Sequence, residues 1–510
     1  MQKKYQIREL RFSVTKGIQC LICIVPLQML HAETTKGIVD SIKTGASQLL
    51  APKPVKNVNQ ANIQKLSNFQ VDTSRVDDLP VLTGNFPVLD QNSRTVNVQR
   101  APQLSFNESI LRALQRSPDV TRSLSTLAAQ GANIDVAKAG YYPQISGGVS
   151  TADLTRGERG RQLFNITATQ MVYDFGKIRS AVDVQEAKLA SEQALVLVSL
   201  DDVALQTASA IVNTERYKKI TQIAQQQIEG ISRIAEIANL RAKAGISTQA
   251  DPVQAQSNLE AAQSNLIVQQ NLLNQYKQKL KTLLGYDVSN VGWNIPDRIV
   301  QQSALYQDPE FNRIPKMIAA QASVEVAKFQ KKQVKLSSYP TLNLKGSLSQ
   351  AVNGVNPNNN EDDGFYSSIM LEASSSFYQG GAVSSQTRAA SYAEEAAKAE
   401  VNAVYLDVQD EVRLLREEIE NKQRQMSVLV ARKQTAIRTK ELYQEQYKLG
   451  TRSAVDLLTA EQTIHSSASE IENARYDMYA AIIKYIAVTG RSRDVYDLNN
   501  ISIQGFEIQP

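Results

Sequence analysis

Tyr447-Lys448-Leu449-Gly450-Thr451-Arg452-Ser453-Ala454-Val455-Asp456-Leu457-Leu458 interrupts two long helical patterns. It has an earlier echo in Leu240-Arg241-Ala242-Lys243-Ala244-Gly245-Ile246-Ser247-Thr248-Gln249-Ala250-Asp251. In each stretch a glycine stops a helix, because glycine enters the left-handed conformation that closes a helix C-terminus. In each an aspartate follows six residues later. The two stretches read as copies of one helix-hairpin tip.

The copies extend outward from the tips over most of the chain. Tyr173 and Tyr378, Gly176 and Gly381, Gly245 and Gly450, Asp251 and Asp456, and Gly285 and Gly490 are all 205 residues apart. Upstream, Tyr142-Pro143 and Tyr339-Pro340 are 197 apart, and Pro118 to Pro143 equals Pro315 to Pro340 in length. A separation this constant marks an internal tandem duplication. The extra residues of the second copy fall in 351–364, rich in Asn, Asp and Gly, a turn-forming loop of the kind a barrel exposes on its outer side.

Within each copy the pattern changes in the same order. A helix begins at a proline, which suits a first turn, and ends near the Tyr-Pro pair. Strands follow. From Leu163 to Tyr173, Phe164, Ile166, Ala168 and Val172 alternate with Asn165, Thr167 and Thr169. Leu342, Leu344 and Leu348 alternate with Asn343, Lys345, Ser347 and Ser349. Period two with one apolar face predicts a half-buried strand, and about ten residues is what a tilted membrane strand needs. Long helical patterns then run from 176 to Gly245 and from 382 to 449, the second without Gly or Pro. Val408, Val412, Leu415, Ile419, Met426 and Leu429 lie near a seven-residue repeat broken by Lys422, the signature of a narrow coiled-coil seam. A helix of that length spans about 100 Å. Its many charges exclude a lipid-spanning helix, so it stands in water beyond the membrane.

Residues 1–32 have a basic start, an apolar run from Gly17 to Leu30 and a Leu30-His31-Ala32 cleavage site, which predicts a secretory signal peptide. That leader carries most of the net charge of +5, so the basic balance gives no reason to expect a nucleic-acid partner. Both cysteines, Cys20 and Cys23, lie in the leader. The mature chain then has His465 alone, which supplies no disulfide, no Cys/His metal site and no histidine-centred triad. No cofactor is expected. Residues 33–103 show no period and read as an extended or disordered arm, a linker or a partner-binding segment. The first repeat is placed at 104–292, a linker at 293–312, the second repeat at 313–490 and a C-terminal tail at 491–510. Trp293 in the linker reads as a packing residue.

Two strands per repeat give about four per chain. Four strands cannot close a barrel around a channel, and an open sheet edge does not survive in lipid. If these strands enter a membrane, several chains share one barrel of eight, twelve or sixteen strands. The fold class is mainly α with a transmembrane β part. The competing readings are a secreted coiled-coil structural or adhesive protein, and an enzyme of helical architecture. The first leaves the strands, the duplication and the glycine tips unexplained. The second has only acidic residues spread over helix faces to draw on.

The duplicated layout, Tyr142-Pro143, Tyr173-Asp174-Phe175-Gly176 and above all Tyr447-x-x-Gly450-Thr451-Arg452-Ser453-x-x-Asp456 resemble the TolC family of outer-membrane efflux and type I secretion channels. The resemblance covers about residues 104–490. It implies a homotrimer in the bacterial outer membrane, with a shared twelve-stranded barrel and a long helical tunnel in the periplasm. It further implies a passive export duct for protein or drugs, docked to a periplasmic adaptor protein and an inner-membrane transporter of ABC or RND type. Energy would come from the transporter, since the chain has no phosphate-binding loop. The resemblance assigns a periplasmic gate to Asp251, Tyr447, Arg452 and Asp456, with the tyrosine and arginine bonded to the first-repeat tip and Asp456 forming a ring that favours cations. Gly245, Ile246, Gly450 and Thr451 are then the hairpin tips that meet the adaptor. Ala250 and Thr459 depart from the family pattern, removing one link and a second acidic ring. Each gate residue also has a local alternative: Asp251 and Asp456 as helix N-caps, Tyr447 as a seam residue, Arg452 as a turn former.

Overall fold

The computed structural model describes residues 105–152, 161–288, 291–296, 298–352, 354–356, 358–376 and 378–508. The leader at 1–32 and the arm at 33–103 lie outside them. In chain order the first repeat comprises α1 (Phe106–Arg116), α2 (Pro118–Lys138), β1 (Gln144–Ala152), β2 (Arg161–Tyr173), α3 (Lys177–Lys243) and α4 (Ala250–Leu284). After the short α5 (Arg298–Gln302), the second repeat gives α6 (Pro315–Leu336), β3 (Thr341–Val352), β4 (Phe365–Ser374), α7 (Ala382–Lys448) and α8 (Ala454–Val488). The chain then adds α9 (Ser492–Val495) and a small hairpin, β5 (Ser502–Ile503) and β6 (Phe506–Glu507).

Local chemistry sets the boundaries. Ser105 and Glu108 cap α1 reciprocally, the Ser105 N–H donating to the Glu108 carboxylate at 2.7 Å and the Glu108 N–H to the Ser105 hydroxyl at 3.3 Å. α2 and α6 both start at their proline. Between β2 and α3, the Asp174 carboxylate accepts from the N–H groups of Gly176 at 2.8 Å and Ile178 at 2.6 Å. This turns the chain sharply from strand to helix. The second repeat makes the same turn with Gly380 and Gly381, both at positive φ.

The four long strands form one antiparallel sheet in the order β1-β2-β3-β4. Cross-strand pairs such as Val149↔Phe164, Ile166↔Leu348 and Leu344↔Leu371 stack apolar residues on one face. Thr167↔Ser347 and Ser347↔Ser368 line the other, and Lys345 and Glu372 meet there at 3.9 Å. Among the described residues nothing covers the apolar face: Phe164 is 43% exposed, Ile369 66% and Leu371 67%. A strand with its apolar side outward and its polar side inward suits a bilayer outside and water inside. At the end nearest the helices, Phe175 packs against Tyr173 at 4.7 Å and Tyr339 at 5.6 Å between ring centroids.

α3 and α7 each have 67 residues, about 100 Å. α2 lies along the strand-proximal part of α3, where Gln130 donates to the Gln185 carbonyl. α4 covers the rest, with Tyr217 stacked on Tyr276 at 5.4 Å. α6 and α8 flank α7 in the same way through Lys331–Glu394 and Lys484–Glu411. Val408, Val412, Leu415, Ile419 and Leu429 are buried as the seven-residue seam requires. Lys422 breaks the seam because it pairs with Asp477 at 2.8 Å, which Arg216 also holds at 2.7 Å. That three-residue cluster ties α3, α7 and α8 together. α3 also contains a window apolar enough to cross a membrane, 56% buried inside the protein. α3 packs against α2, α4, α6 and α8, which accounts for the buried part of that window.

Residues 291–296, 298–312 and 491–508 pack midway along the long helices, where the Trp293 backbone N–H donates to the Glu215 carboxylate of α3 at 3.0 Å and Arg416 of α7 donates to the Leu305 carbonyl at 2.6 Å. Trp293 is 6% exposed and donates from Nε1 to the Ser109 hydroxyl at 2.9 Å. The segment read as a tail is folded: Tyr496, Leu498, Ile503 and Ile508 are buried in the main core. Gln504 bonds the end of α1 at the Gln115 carbonyl and α2 at the Thr121 hydroxyl. Here Asp201 of α3 is 6% exposed. Burial pushes its carboxyl up from 3.8 to about 7, against the opposing pull of Ser492 and Arg493. A raised carboxyl pKa means the folded state keeps a proton that the unfolded chain releases, so stability falls as pH rises from about 4 to about 7. The wild-type chain is expected to melt at a lower temperature at pH 8 than at pH 5, and Asp201→Asn to remove most of that difference.

Candidate functional site at the paired hairpin tips

The two tips share one backbone design. At the first, the Gly245 N–H donates to the Ala242 carbonyl at 3.1 Å and the Ile246 N–H to the Arg241 carbonyl at 2.9 Å. At the second, Gly450 bonds Tyr447 at 3.1 Å and Thr451 bonds Gln446 at 3.0 Å. Gly245 has φ +74 and Gly450 φ +81, with open space or ordinary contact where a side chain would be. This paired closure of a helix end is the Schellman arrangement. Ile246 and Thr451 are exposed at the turns.

The side chains differ between the copies. Tyr447 is 4% exposed and belongs to a small core with Ile231, Ile234, Ala238, Leu457 and Leu458. That core lies away from the main one and joins the two hairpins near their tips. The Arg241 guanidinium sits 4.6 Å from the centroid of the Tyr447 ring. Burial raises the Tyr447 pKa, Arg241 lowers it and Asp251 raises it, with a net rise. Tyr447, Arg241 and Asp251 thus form one junction between α7 and the first tip. The Tyr447 hydroxyl has no hydrogen-bond partner among the described residues.

Arg452 stays on its own hairpin. Its Nε donates to the Gln446 side chain at 3.1 Å, it lies 3.7 Å from Asp456 and its guanidinium covers the Tyr443 ring at 4.6 Å. Among the described residues it makes no hydrogen bond or ion pair with Asp251. Asp456 accepts from the N–H of Ser453 at 3.3 Å and its hydroxyl at 3.1 Å. The N-cap of α8 is therefore Ser453, not Asp456, which sits three residues inside the helix. The N-cap assignment also fails for Asp251: α4 starts at Ala250 after Gln249, and Asp251 lies in the first turn. An acidic group in a first turn still favours the helix dipole. The Thr459 hydroxyl, at one of the two departures from the family pattern, is spent on the Val455 carbonyl at 2.8 Å. Asp456, Thr459, Thr463, Arg432 and Tyr443 line an open groove of about 450 Å³.

Two contributors escaped the sequence reading. One is Arg241, which stands in the quoted echo but has Gln446 as its counterpart, so the duplication did not single it out. The other is Glu461, 3% exposed, which pairs with Lys440 and lies 3.3 Å from His465. Its carboxylate occupies the space above Gly230, 1.6 Å from where a Cβ would stand. Burial works to raise the Glu461 pKa, but His465 and Lys440 outweigh it and hold the group below its ordinary value. A glycine inside a long helix was the available signal, since it costs stability unless packing needs the space.

A duplicated chain with an exposed apolar sheet face, two long hairpins and matched tips at their far end is built as the subunit of a membrane-anchored duct. It belongs to the outer membrane efflux protein family, whose pattern matches residues 110–286 and 310–491. It is 24% identical over 457 residues to outer membrane protein TolC of Escherichia coli strain K12, covering 83% of this chain and 88% of that one. It is 23% identical over 414 residues to outer membrane efflux protein BepC of Brucella suis, covering 77% and 87%. The fold is similar to that of outer membrane protein VceC from Vibrio cholerae, with a TM-score of 0.66 and 17% identity over 76% of this chain and 96% of that one.

Proposed function

We propose that this chain is the outer-membrane exit duct of a tripartite export system, for protein secretion or drug efflux. It works as a homotrimer whose strands close one twelve-stranded barrel and whose helices form a periplasmic tunnel. The observation that carries this reading is the sheet β1-β2-β3-β4, whose edge strands β1 and β4 have no further strand partner among the described residues and whose apolar face is exposed. Such a sheet is stable in lipid only if each edge pairs with a neighbouring copy. The duct carries out no catalysis of its own. The tips, through Gly245, Ile246, Gly450 and Thr451, meet a periplasmic adaptor and an inner-membrane transporter. Asp251, Tyr447, Arg452 and Asp456 keep the periplasmic end shut until docking.

The test is membrane fractionation with a heat-sensitive trimer on gels. Ile369→Arg places a charge on the apolar face, which costs about 2–4 kcal/mol at the bilayer midplane. It is expected to abolish the outer-membrane trimer. Thr167→Lys on the polar face is expected to leave it intact. A soluble periplasmic product from the wild-type chain, or equal tolerance of both substitutions, refutes the barrel.

A further inference from the structure

At the end of the sheet remote from the helices, β3 and β4 are joined by the loop that lengthens the second repeat. Its described residues, 354–356 and 358–364, are tied to one another. The Asn356 N–H donates to the Glu361 carbonyl at 2.9 Å, the Asn360 N–H to the Asn356 carbonyl at 2.8 Å and the Asp363 N–H to the Gly354 carbonyl at 3.1 Å. Asn360 and Asp363 take left-handed backbone, at φ +58 and +50, which Asn and Asp adopt more readily than other side-chain-bearing residues. The loop also has a definite side. The register of β3 with β2 is unbroken from Asn343 to Val352, so alternation puts Ser349 and Ala351 on the polar face with Lys345 and Ser347. The Ser349 hydroxyl accepts from Asn356 Nδ2 at 3.2 Å and from Asn358 Nδ2 at 3.0 Å. Asn356, itself buried, also donates to the Ser349 carbonyl at 3.3 Å and the Gly364 carbonyl at 2.9 Å. Ser349 is 5% exposed and Ala351 0%, while Phe365, on the apolar face at the same end, is 57% exposed. The loop therefore lies over the polar face and leaves the apolar one bare.

Resting on the barrel reading, in which the polar face lines the lumen, we propose that the β3–β4 loop folds into the lumen and narrows the outer mouth of the duct, one copy from each protomer. The loop expected on the outer side of the barrel is thus turned inward. Its exposed Asn360, Glu361, Asp362 and Asp363 need water, which a lumen supplies and lipid does not. The bonds that hold it run within the loop and to β3, so the narrowing is built into each protomer. It limits the width of what passes the outer mouth, at the opposite end of the duct from the hairpin tips.

The test is cysteine labelling from outside intact cells, in full-length chains first checked for the heat-sensitive trimer band. Thr169→Cys reports on the polar face below the loop, where Thr169 pairs with Lys345. Ile166→Cys reports on the apolar face. The wild-type chain, whose two cysteines fall in the predicted leader, gives the background. Two membrane-impermeant maleimides are compared, one small and one carrying a polyethylene glycol chain about as wide as the lumen. The bulky reagent is expected to label Thr169→Cys severalfold more slowly than the small one. Deleting 355–362 joins Gly354 to Asp363, which already share a backbone bond, and is expected to remove most of that difference. Equal rates with the loop intact, or a rate ratio unchanged by the deletion, would overturn the constriction. Where the deletion yields no trimer, Asn356→Ala decides: faster bulky labelling supports the constriction, and a ratio equal to that of the intact loop overturns it. Ile166→Cys labelled as fast as Thr169→Cys by the small reagent would instead sink the barrel reading, and the constriction with it.

Discussion

Replacing Arg452 with alanine and Tyr447 with leucine in one chain is expected to raise single-channel conductance severalfold over wild type in an intact trimer. Arg452 is held by Gln446, Asp456 and the Tyr443 ring, with its side chain 41% exposed. Exposed ion pairs of this kind contribute about 0–1 kcal/mol each. Tyr447 is the larger loss, because it is buried in the small core that joins the hairpins. A loss of about 1 kcal/mol per protomer becomes about 3 kcal/mol in a threefold iris, roughly two powers of ten in the ratio of open to closed. Unchanged conductance in a properly assembled trimer rejects these residues as the lock.

The second large effect concerns the glycines that end the helices. Gly285 and Gly490 are repeat-related and have φ +76 and +68, but their surroundings differ. A Cβ at Gly490 would meet Pro315 Cδ at 2.8 Å, the Arg313 carbonyl at 3.0 Å and Ile314 Cα at 3.1 Å. Two of those atoms are backbone and cannot yield. Left-handed backbone costs a non-glycine residue about 1–2 kcal/mol, and overpacking adds about 1–3 kcal/mol. Gly490→Ala is therefore expected to destabilise the chain by about 2–5 kcal/mol on those two grounds. At Gly285 the obstacle is the Arg116 guanidinium, the end of a flexible side chain, so Gly285→Ala costs less. Gly245→Ala and Gly450→Ala meet open space or ordinary contact and carry only the backbone term. Thermal dissociation of the trimer should follow that order. A Gly490→Ala chain as stable as Gly450→Ala would show that the end of α8 is not packed as described.

Much of the architecture was legible because duplication writes itself into spacing. The 205-residue offset located both hairpins, and glycine at each tip announced a left-handed helix end. Periodicity carried the strands and the α7 seam for the same reason, since burial on one face repeats along an element. Single contacts between elements were not legible. Nothing in the pattern near Gly230 says that Glu461, more than 200 residues later, fills its missing side chain. Nothing near Lys422 says that Asp477 waits for it. The folding of 491–508 was hidden too, because its short elements have no period to detect.

The tips show the same division. Sequence alone determined that two matched turns exist, that each glycine takes positive φ and that aromatic and charged residues cluster there, because these follow from local backbone and side-chain chemistry. Tertiary structure decided which charge meets which ring. Arg452 turned back onto Tyr443 and Gln446 of its own hairpin, while Arg241 crossed to Tyr447. Such pairings depend on how two helices, about 100 Å long, lie side by side at their far ends, and that is fixed by packing along their whole length.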